Sequence, residues 1–139
     1  MGSGSAVVIL NCRSGCQDKR KIARSLRSIV AGMGVQCTIV LARNPRQVEQ
    51  AACSAAASPG EIIIAAGGDG TINAVASRLI GTEKRLGIVP VGTFNYFARN
   101  LGLPMDLETA FRGCFDAQTQ WVTVGEVNGR IFLNRHAPY

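Results

Sequence analysis

The residues best suited to chemistry form a short glycine-rich turn, residues 67–71, with the sequence Gly-Gly-Asp-Gly-Thr. An apolar run, residues 62–66, precedes the turn, and apolar residues at helical spacing follow it. A strand that ends in a glycine turn and leads into a helix is suited to phosphate, because the first N–H groups of a helix lack intrahelical acceptors. The pattern therefore predicts a phosphate-binding turn, and we favour this over a purely structural connection.

The carboxylate of this turn, Asp69, needs its own explanation, because a bare carboxylate repels phosphate. It fits if it acts on a divalent cation, either directly or through water. It also fits if it accepts hydrogen bonds that shape the turn. Thr71 contributes a hydroxyl and Asn73 an amide to the same segment. Both interpretations of Asp69 stay open at this point.

Two more polar turns follow apolar runs. Residues 11–15, Asn-Cys-Arg-Ser-Gly, come after the run 6–10, and residues 91–95, Val-Gly-Thr-Phe-Asn, come after the run 86–89. In open parallel sheets, ligands bind beyond the carboxyl ends of the strands. We therefore expect all three turns to meet at one edge of a sheet.

The elements that position these turns alternate regularly along the chain. Strands are predicted at residues 6–10, 35–41, 61–66 and 86–89. Helices are predicted at about 18–33, 45–57, 71–79, 94–101 and 107–114. In the fourth helix the predicted inner residues are Phe94, Phe97, Ala98 and Leu101. The alternation predicts an α/β fold, a parallel sheet with helices on both faces, which makes three layers over residues 6–120.

A different pattern begins near residue 121. Residues 121–127 and 130–133 flank Asn128-Gly129, a strong hairpin pattern. We interpret residues 121–139 as the first hairpin of a truncated, β-rich second domain. Because Trp121, Val122 and Phe132 lack a partner sheet, we expect the hairpin to be mobile and to favour homodimers or aggregation.

Composition limits the classes of function. The chain has 139 residues, enough for one domain or one domain and a fragment, and a formal net charge of +6. A basic balance favours polyanions, and the alternative is a solvated surface that happens to be basic. The row Arg20, Arg24 and Arg27 on the first helix suits either anionic lipid or an ordinary solvated helix face. Basic residues are too dispersed to predict nucleic-acid binding.

Five cysteines without a CxxC pair predict reduced thiols in a cytoplasmic protein. We expect residues 1–5 to be a flexible leader, and no signal peptide or membrane span is predicted.

Three motifs, taken together, resemble one family. They are Asn11-x-x-Ser14-Gly15, Gly67-Gly68-Asp69-Gly70-Thr71 and Pro90-x-Gly92-Thr93-x-Asn95-x-x-Ala98-Arg99-x-Leu101-Gly102-x-Pro104. In this order and spacing they resemble the catalytic domain of the diacylglycerol kinase family of lipid kinases, which is also similar to sphingosine kinases. The resemblance covers about residues 6–134, and its third motif is the longest and most specific. It implies that the three-layer unit over residues 6–120 is a nucleotide-binding domain.

The resemblance implies a two-domain enzyme that transfers the γ-phosphate of ATP to the hydroxyl of a diacylglycerol-like lipid. Its first domain would bind ATP and Mg²⁺, and its second, a β-sandwich, would supply most of the lipid groove and the general base. Asp69 would organise the metal or the phosphates, and Arg99 is either a phosphate ligand or the partner of a carboxylate. The residues implied in ATP binding are Asn11, Arg13, Ser14, Gly15, Gly67, Gly68, Asp69, Gly70, Thr71, Asn73, Gly92 and Thr93. The implied location is the cytoplasm, peripheral to the inner membrane face.

The sequence departs from the family pattern after Asn134, where residues 135–139 do not resemble what should follow. We therefore expect this chain to be weakly active or inactive alone. Two alternatives remain. One is a phosphotransferase similar to NAD kinases, which share the Gly-Gly-Asp-Gly-Thr turn but carry an Asn-Glu pair that is absent here. The other is a non-catalytic nucleotide-binding module.

Overall fold

A computed structural model describes residues 5–12, 19–92, 94–116, 123–127 and 130–134. Strands and helices alternate through the first half of the chain, as the sequence predicts. The elements are β1 (Ala6–Asn11), α1 (Lys19–Met33), β2 (Cys37–Ala42), α2 (Pro45–Ala57), β3 (Ile62–Gly67), α3 (Asp69–Leu79), β4 (Arg85–Pro90), α4 (Tyr96–Leu101), α5 (Leu107–Asp116), β5 (Thr123–Val127) and β6 (Arg130–Asn134).

The first four strands form one parallel sheet in the order β2-β1-β3-β4. The order reverses between β1 and β3, because β2 lies on one side of β1 while β3 and β4 lie on the other. The strands are apolar runs rather than alternating ones, as expected of a parallel sheet that helices cover on both faces. All six residues of β3 are buried, so this strand lies at the centre of the molecule.

Side chains on the two faces of the sheet form two separate cores. On β3, Ile62, Ile64 and Ala66 belong to one core, and Ile63 and Ala65 belong to the other. Helices α1 and α5 cover the first face, with Ile22, Leu26, Ala110 and Phe111 buried. Helices α2, α3 and α4 cover the second face, with Val48, Ala52, Ile72, Val75 and Phe97 buried. The predicted three-layer α/β architecture is therefore confirmed.

Two local expectations need correction. Helix α4 begins at Tyr96, so Phe94 lies before it and is 60% exposed rather than on its inner face. The reason is Asn95, whose φ of 56° is left-handed and interrupts the helical path. Ser5 does not belong to a free leader, because its carbonyl accepts the N–H groups of Glu61 and Ile62 at 2.9 and 3.2 Å.

The predicted hairpin is present in the backbone as the antiparallel pair β5–β6. Its strand β6 runs beside α3. Trp121, Val122 and the turn residues Asn128 and Gly129 lie outside the described residues, so the predicted mobility and dimerisation of the hairpin stay predictions. Within the described ranges, no helix is both long and apolar enough to cross a membrane.

Candidate functional site

The turns after β1, β3 and β4 come together at the carboxyl edge of the sheet. Parallel pairing sets Leu10 beside Ala66, and Gly67 beside Pro90, so these three strands end at the same level. Between β1 and β3 the strand order reverses, which is where open α/β sheets bind ligands. The predicted convergence of the polar turns therefore holds for the parts of them that the structure describes.

Gly67 and Gly68 carry the chain from β3 into α3. A Cβ atom added to Gly67 would lie 2.7 Å from Thr71 Oγ1 and 2.8 Å from Thr71 Cβ, so only glycine fits. Gly68 is the N-cap of α3 in extended conformation, and its carbonyl accepts the first helical bond, from Ile72 N at 3.0 Å. The preceding N–H groups, at residues 69–71, consequently have no acceptor within the helix. They are the groups that the sequence predicted for phosphate.

A side-chain hydrogen bond joins the ends of β1 and β3. Asn11 Nδ2 donates to Thr71 Oγ1 at 2.9 Å, across 60 residues of sequence. Thr71 is only 5% exposed, so this bond is shielded from competing water. Asn73, in the next turn of α3, is half-buried. The structure thus brings together Asn11 and Thr71, two residues that the sequence proposed separately.

The turns after β3 and β4 touch backbone to backbone. A Cβ atom at Gly92 would lie 2.3 Å from the Gly68 Cα and 2.7 Å from its nitrogen. Val91 N also donates to the Gly67 carbonyl at 3.1 Å, which extends the β3–β4 pairing into the turns. Glycine is therefore required at position 92 for this close approach, whereas a Cβ atom at Gly68 would make a tight contact of 3.3 Å with the Gly92 Cα.

The Asn95 side chain closes the turn that follows β4. Its side-chain oxygen accepts the Gly92 N–H at 3.0 Å and its Nδ2 donates to the Gly92 carbonyl at 3.1 Å. The residue is 5% exposed and is the only described non-glycine residue with a positive φ, 56°. Left-handed backbone costs about 1 kcal/mol in a non-glycine residue, and least in asparagine. The two side-chain hydrogen bonds of Asn95 offset the cost of this strained conformation. Asn95 belongs to the third sequence motif, but the pattern gives no indication of this role.

Asp69 links the same two turns. Its Oδ2 accepts the Tyr96 N–H at 2.9 Å, and its Oδ1 accepts the Phe97 N–H at 2.8 Å. These are N–H groups of the first turn of α4, so Asp69 acts as a helix cap supplied from another segment of the chain. Of the two interpretations left open, hydrogen bonding that shapes the turns is the one the contacts show. The negative charge is also favourable at the N-terminus of a helix.

Two cationic side chains donate hydrogen bonds to backbone carbonyls of the turn that follows β4. Lys19 Nζ, in the first residue of α1, donates to Val91 O at 2.9 Å, and nothing in the sequence pattern pointed to it. Arg99 Nε donates to Phe94 O at 2.9 Å. Arg99 thus stabilises the loop that leads into α4, whereas the sequence had suggested a phosphate or a carboxylate as its partner.

Several predicted site residues lie outside the described part of the chain. They are Arg13, Ser14, Gly15 and Thr93. Gly70 is exposed at the start of α3, and a Cβ there would meet nothing within 4 Å. Its role therefore stays the one implied by the motif.

The cysteines provide no metal site in the described part of the chain, where no group of three or more His, Cys, Asp or Glu could hold an ion. Burial raises the pKa of both Cys37 and Cys114 to about 11, which keeps these thiols protonated. Cys12, after β1, donates weakly to the Leu10 carbonyl at 3.7 Å. These thiols act as small core or half-buried residues.

Taken together, the fold and the site define a parallel α/β protein with paired glycine turns and a helix N-terminus at the reversal of strand order. The family described as "Diacylglycerol kinase catalytic domain" matches residues 5–127. The chain therefore belongs to the diacylglycerol kinase catalytic domain family, as its three motifs predicted.

Known relatives agree with this assignment. The chain is 45% identical over 87 residues to a diacylglycerol kinase of Bacillus subtilis, covering 60% of this chain and 29% of the relative. It is 35% identical over 134 residues to a "Probable lipid kinase YegS-like" of Yersinia enterocolitica, covering 92% of this chain and 44% of the relative. A crystal structure of a diacylglycerol kinase from Bacillus anthracis superposes with a TM-score of 0.81 at 25% identity, covering 94% and 46% of the two chains. The chain thus spans less than half the length of these relatives.

Proposed function

We propose that this chain is the ATP-binding part of a lipid kinase that transfers the γ-phosphate of ATP to the hydroxyl of diacylglycerol or a similar lipid. The observation that carries the proposal is the backbone contact between Gly68 and Gly92 beside the Asn11–Thr71 hydrogen bond. Family membership supports the class of reaction, and the relatives named as kinases support ATP as the donor.

Phosphoryl transfer depends mainly on positioning and on neutralising charge. The N–H groups at the start of α3 and the positive end of its dipole would bind the phosphate oxygens. Asn11 fixes the Thr71 hydroxyl, and Asn95 fixes the turn that contains Thr93. In this proposal Arg13, Ser14 and Gly15 complete the nucleotide site from the β1 side.

Magnesium fits the residues present, although only one carboxylate is available to it in the described turns. Both oxygens of Asp69 already accept an N–H, and each retains a further lone pair. Mg²⁺ keeps several waters and commonly uses one or two carboxylates together with substrate phosphates. Asp69 would therefore hold the ion through water while it fixes α4. The ion would supply charge neutralisation between the phosphates.

The chain spans less than half of its relatives, so catalysis by the chain alone is a separate proposal. We infer that the general base and most of the lipid groove belong to sequence beyond the described α/β unit. A non-catalytic nucleotide-binding module is the second candidate, and it would bind ATP without turnover. We place the protein at the cytoplasmic face of the membrane, where ATP and lipid meet.

The test is a titration of ATP into the full chain by calorimetry, with and without Mg²⁺, followed by a lipid phosphorylation assay on the same sample. Thr71→Val should weaken ATP binding about tenfold, because the change removes the hydroxyl that Asn11 orients while keeping the shape of the side chain. Thr38→Val is the matched control, since Thr38 is exposed on β2 and distant in sequence from the turns.

Three outcomes decide between the candidates. Magnesium-dependent binding with lipid turnover supports the kinase. Binding without turnover supports the nucleotide module. Absence of ATP binding in the folded chain contradicts both candidates. Equal ATP affinity of Thr71→Val and Thr38→Val would show that the Asn11–Thr71 bond is not part of the ATP site.

A further inference from the structure

Strand β2 forms one edge of the parallel sheet. Among the described residues it pairs with β1 alone, so no strand lies beside its outer edge. Two hydrogen bonds at the ends of this pairing show which residues of β2 face β1. The carbonyls of Gln36 and Ala42 accept the N–H groups of Ala6 and Cys12, at 2.9 and 2.6 Å. Because the backbone groups of successive residues point to opposite edges of a strand, the even-numbered residues of β2 face β1.

The outer edge of β2 therefore presents the N–H and C=O groups of Cys37, Ile39 and Leu41. Within the described ranges no group outside the β1–β2 pairing bonds to them. The next residue on this side, Arg43, donates its N–H to Gln47 Oε1 at 2.7 Å, which ends the row of outward groups. A row of unpaired backbone groups is a template for another strand.

The outer edge of β2 has none of the features that usually prevent such pairing. Residues 28–42 contain no charged residue and no proline, whereas β4, at the other edge of the sheet, begins with Arg85 and ends with Pro90. Charge and proline are the common protection of an edge strand. Leu41, on the sheet face that α1 covers, is 41% exposed, and Thr38, on the opposite face, is also exposed. Neither layer of helices therefore covers the outer edge of β2.

A second copy of β2 satisfies all of these outward groups in one register. When two copies pair antiparallel about a two-fold axis at Ile39, Cys37 lies opposite the partner's Leu41. All three outward residues then form hydrogen-bonded pairs. An axis at Thr38 or Val40 would leave one of the three without a partner inside β2. The register at Ile39 also avoids opposition of like charges, because the edge between the two strands is uncharged.

We propose that this chain forms a dimer in which β2 pairs with β2 of a second copy, antiparallel and centred on Ile39. The pairing is self-complementary, as a two-fold interface requires, and it joins two four-stranded sheets into one of eight strands. The strands of the two copies run in opposite directions, so the carboxyl edges of the two sheets point away from each other. The phosphate turns of both copies therefore stay accessible, and the inference goes beyond the proposed function.

The first experiment is sedimentation velocity of the full chain in reducing buffer, without nucleotide or lipid. The wild-type chain should form dimers in a concentration-dependent manner. Leu41→Lys should raise the dissociation constant of the dimer about tenfold, because it places a charge on the paired edge. The matched control is Ile80→Lys, since Ile80 is 53% exposed after α3 and should not affect the dimer. Circular dichroism checks that both variants are folded.

A cysteine cross-link tests the register. In the proposed dimer Thr38 lies opposite the partner's Val40 in a pair without backbone hydrogen bonds, where Cα atoms are about 4.5 Å apart and a disulfide can form. The background is a chain with Cys12, Cys16 and Cys53 changed to serine. In this background Thr38→Cys/Val40→Cys should give a covalent dimer under mild oxidation. Thr38→Cys alone should not, because its opposite residue remains valine.

Several results would overturn the inference. The wild-type chain could stay monomeric at every concentration, Leu41→Lys and Ile80→Lys could dimerise equally, or the single cysteine could cross-link as fast as the pair. Loss of the dimer in Phe132→Lys but not in Leu41→Lys would assign the interface to the hairpin instead. These samples contain no ATP, so absence of the dimer leaves the nucleotide proposal standing, and absence of ATP binding leaves the dimer standing.

Discussion

At the scale of single residues, Gly67 and Gly70, in the turn that follows β3, differ in the space that each leaves for a side chain. Gly67→Ala should destabilise the protein by about 1–3 kcal/mol, because the new methyl group would overlap Thr71. Gly70 lies near the start of α3, and a methyl group there would meet open space. The free energy of unfolding of the Gly70→Ala variant should therefore stay within about 1 kcal/mol of wild type. Urea unfolding of the two variants gives the comparison, and equal midpoints would contradict the packing argument.

Asp69 makes a second residue-scale prediction, which concerns stability rather than ATP. From the sequence alone Asp69→Ala should remove magnesium-dependent binding and leave the fold intact. Because Asp69 caps α4, we now expect Asp69→Ala also to lower the free energy of unfolding by about 1–3 kcal/mol. Asp69→Asn keeps one acceptor and should lose less. If Asp69→Ala unfolds at the same urea concentration as wild type, the two bonds do not stabilise the turns.

The sequence predicts the chemistry of these residues better than their contacts. A carboxylate among glycines indicates either a cation or hydrogen bonding, and only the fold shows that the Tyr96 and Phe97 N–H groups are its partners. Asn11 and Thr71 are paired across 60 residues, a separation at which local patterns carry no information. The glycine motifs predicted sharp turns, but not that position 92 must be glycine because it lies against the Gly68 backbone.

At the scale of elements, strands were easier to predict than helix starts. Apolar runs locate β1 and β3 to within about one residue, because these two strands lie between other strands of the parallel sheet and must be apolar on both faces. The start of α4 was wrong because Phe94, Phe97, Ala98 and Leu101 have helical spacing although residue 95 is left-handed. Periodicity reports which side chains could share a face, whereas the cap decides where the helix begins.

Helix α5 offers a prediction about pH. Asp106 accepts the Thr109 N–H at 3.0 Å and the Thr109 hydroxyl at 2.9 Å, and the backbone bond is the main cause that lowers the pKa of this carboxyl below 3.8. A lowered folded pKa means that the contribution to stability is present above pH 3.8 and is lost as pH falls through the folded pKa.

Asp106→Asn is the matched variant, because an amide oxygen can still cap α5 but does not titrate in this range. The loss of stability between about pH 5 and about pH 3 should be smaller in Asp106→Asn than in wild type. Urea midpoints at the two pH values measure it. Parallel losses in both proteins would show that the Asp106 cap does not contribute to acid denaturation.

At the scale of the whole molecule, the sheet divides the interior into two cores, and the site is built where both meet the carboxyl edge. Val91 and Cys12 belong to the core covered by α1 and α5, whereas Phe97 and Ile72 belong to the other. Asp69, at the head of α3, reaches the head of α4 on the same face, while Lys19 reaches Val91 from the opposite layer. The glycine turns are therefore fixed by both layers of helices, and loosening of either core should disturb them.

Two partly buried thiols that pack against the first core can report such loosening. Cys37 on β2 and Cys114 on α5 pack against the same core, and a pKa of about 11 leaves about one thiol in a thousand as thiolate at about pH 8. Cys53 is exposed on α2.

In a Cys12→Ser/Cys16→Ser chain we expect Ellman's reagent to label Cys53 rapidly and to label Cys37 and Cys114 slowly. The two slow rates should rise together as the urea concentration increases. Cys53→Ser should remove only the rapid phase. If Cys37 and Cys114 instead react at independent rates without urea, β2 and α5 open separately and the first core is not one cooperative unit.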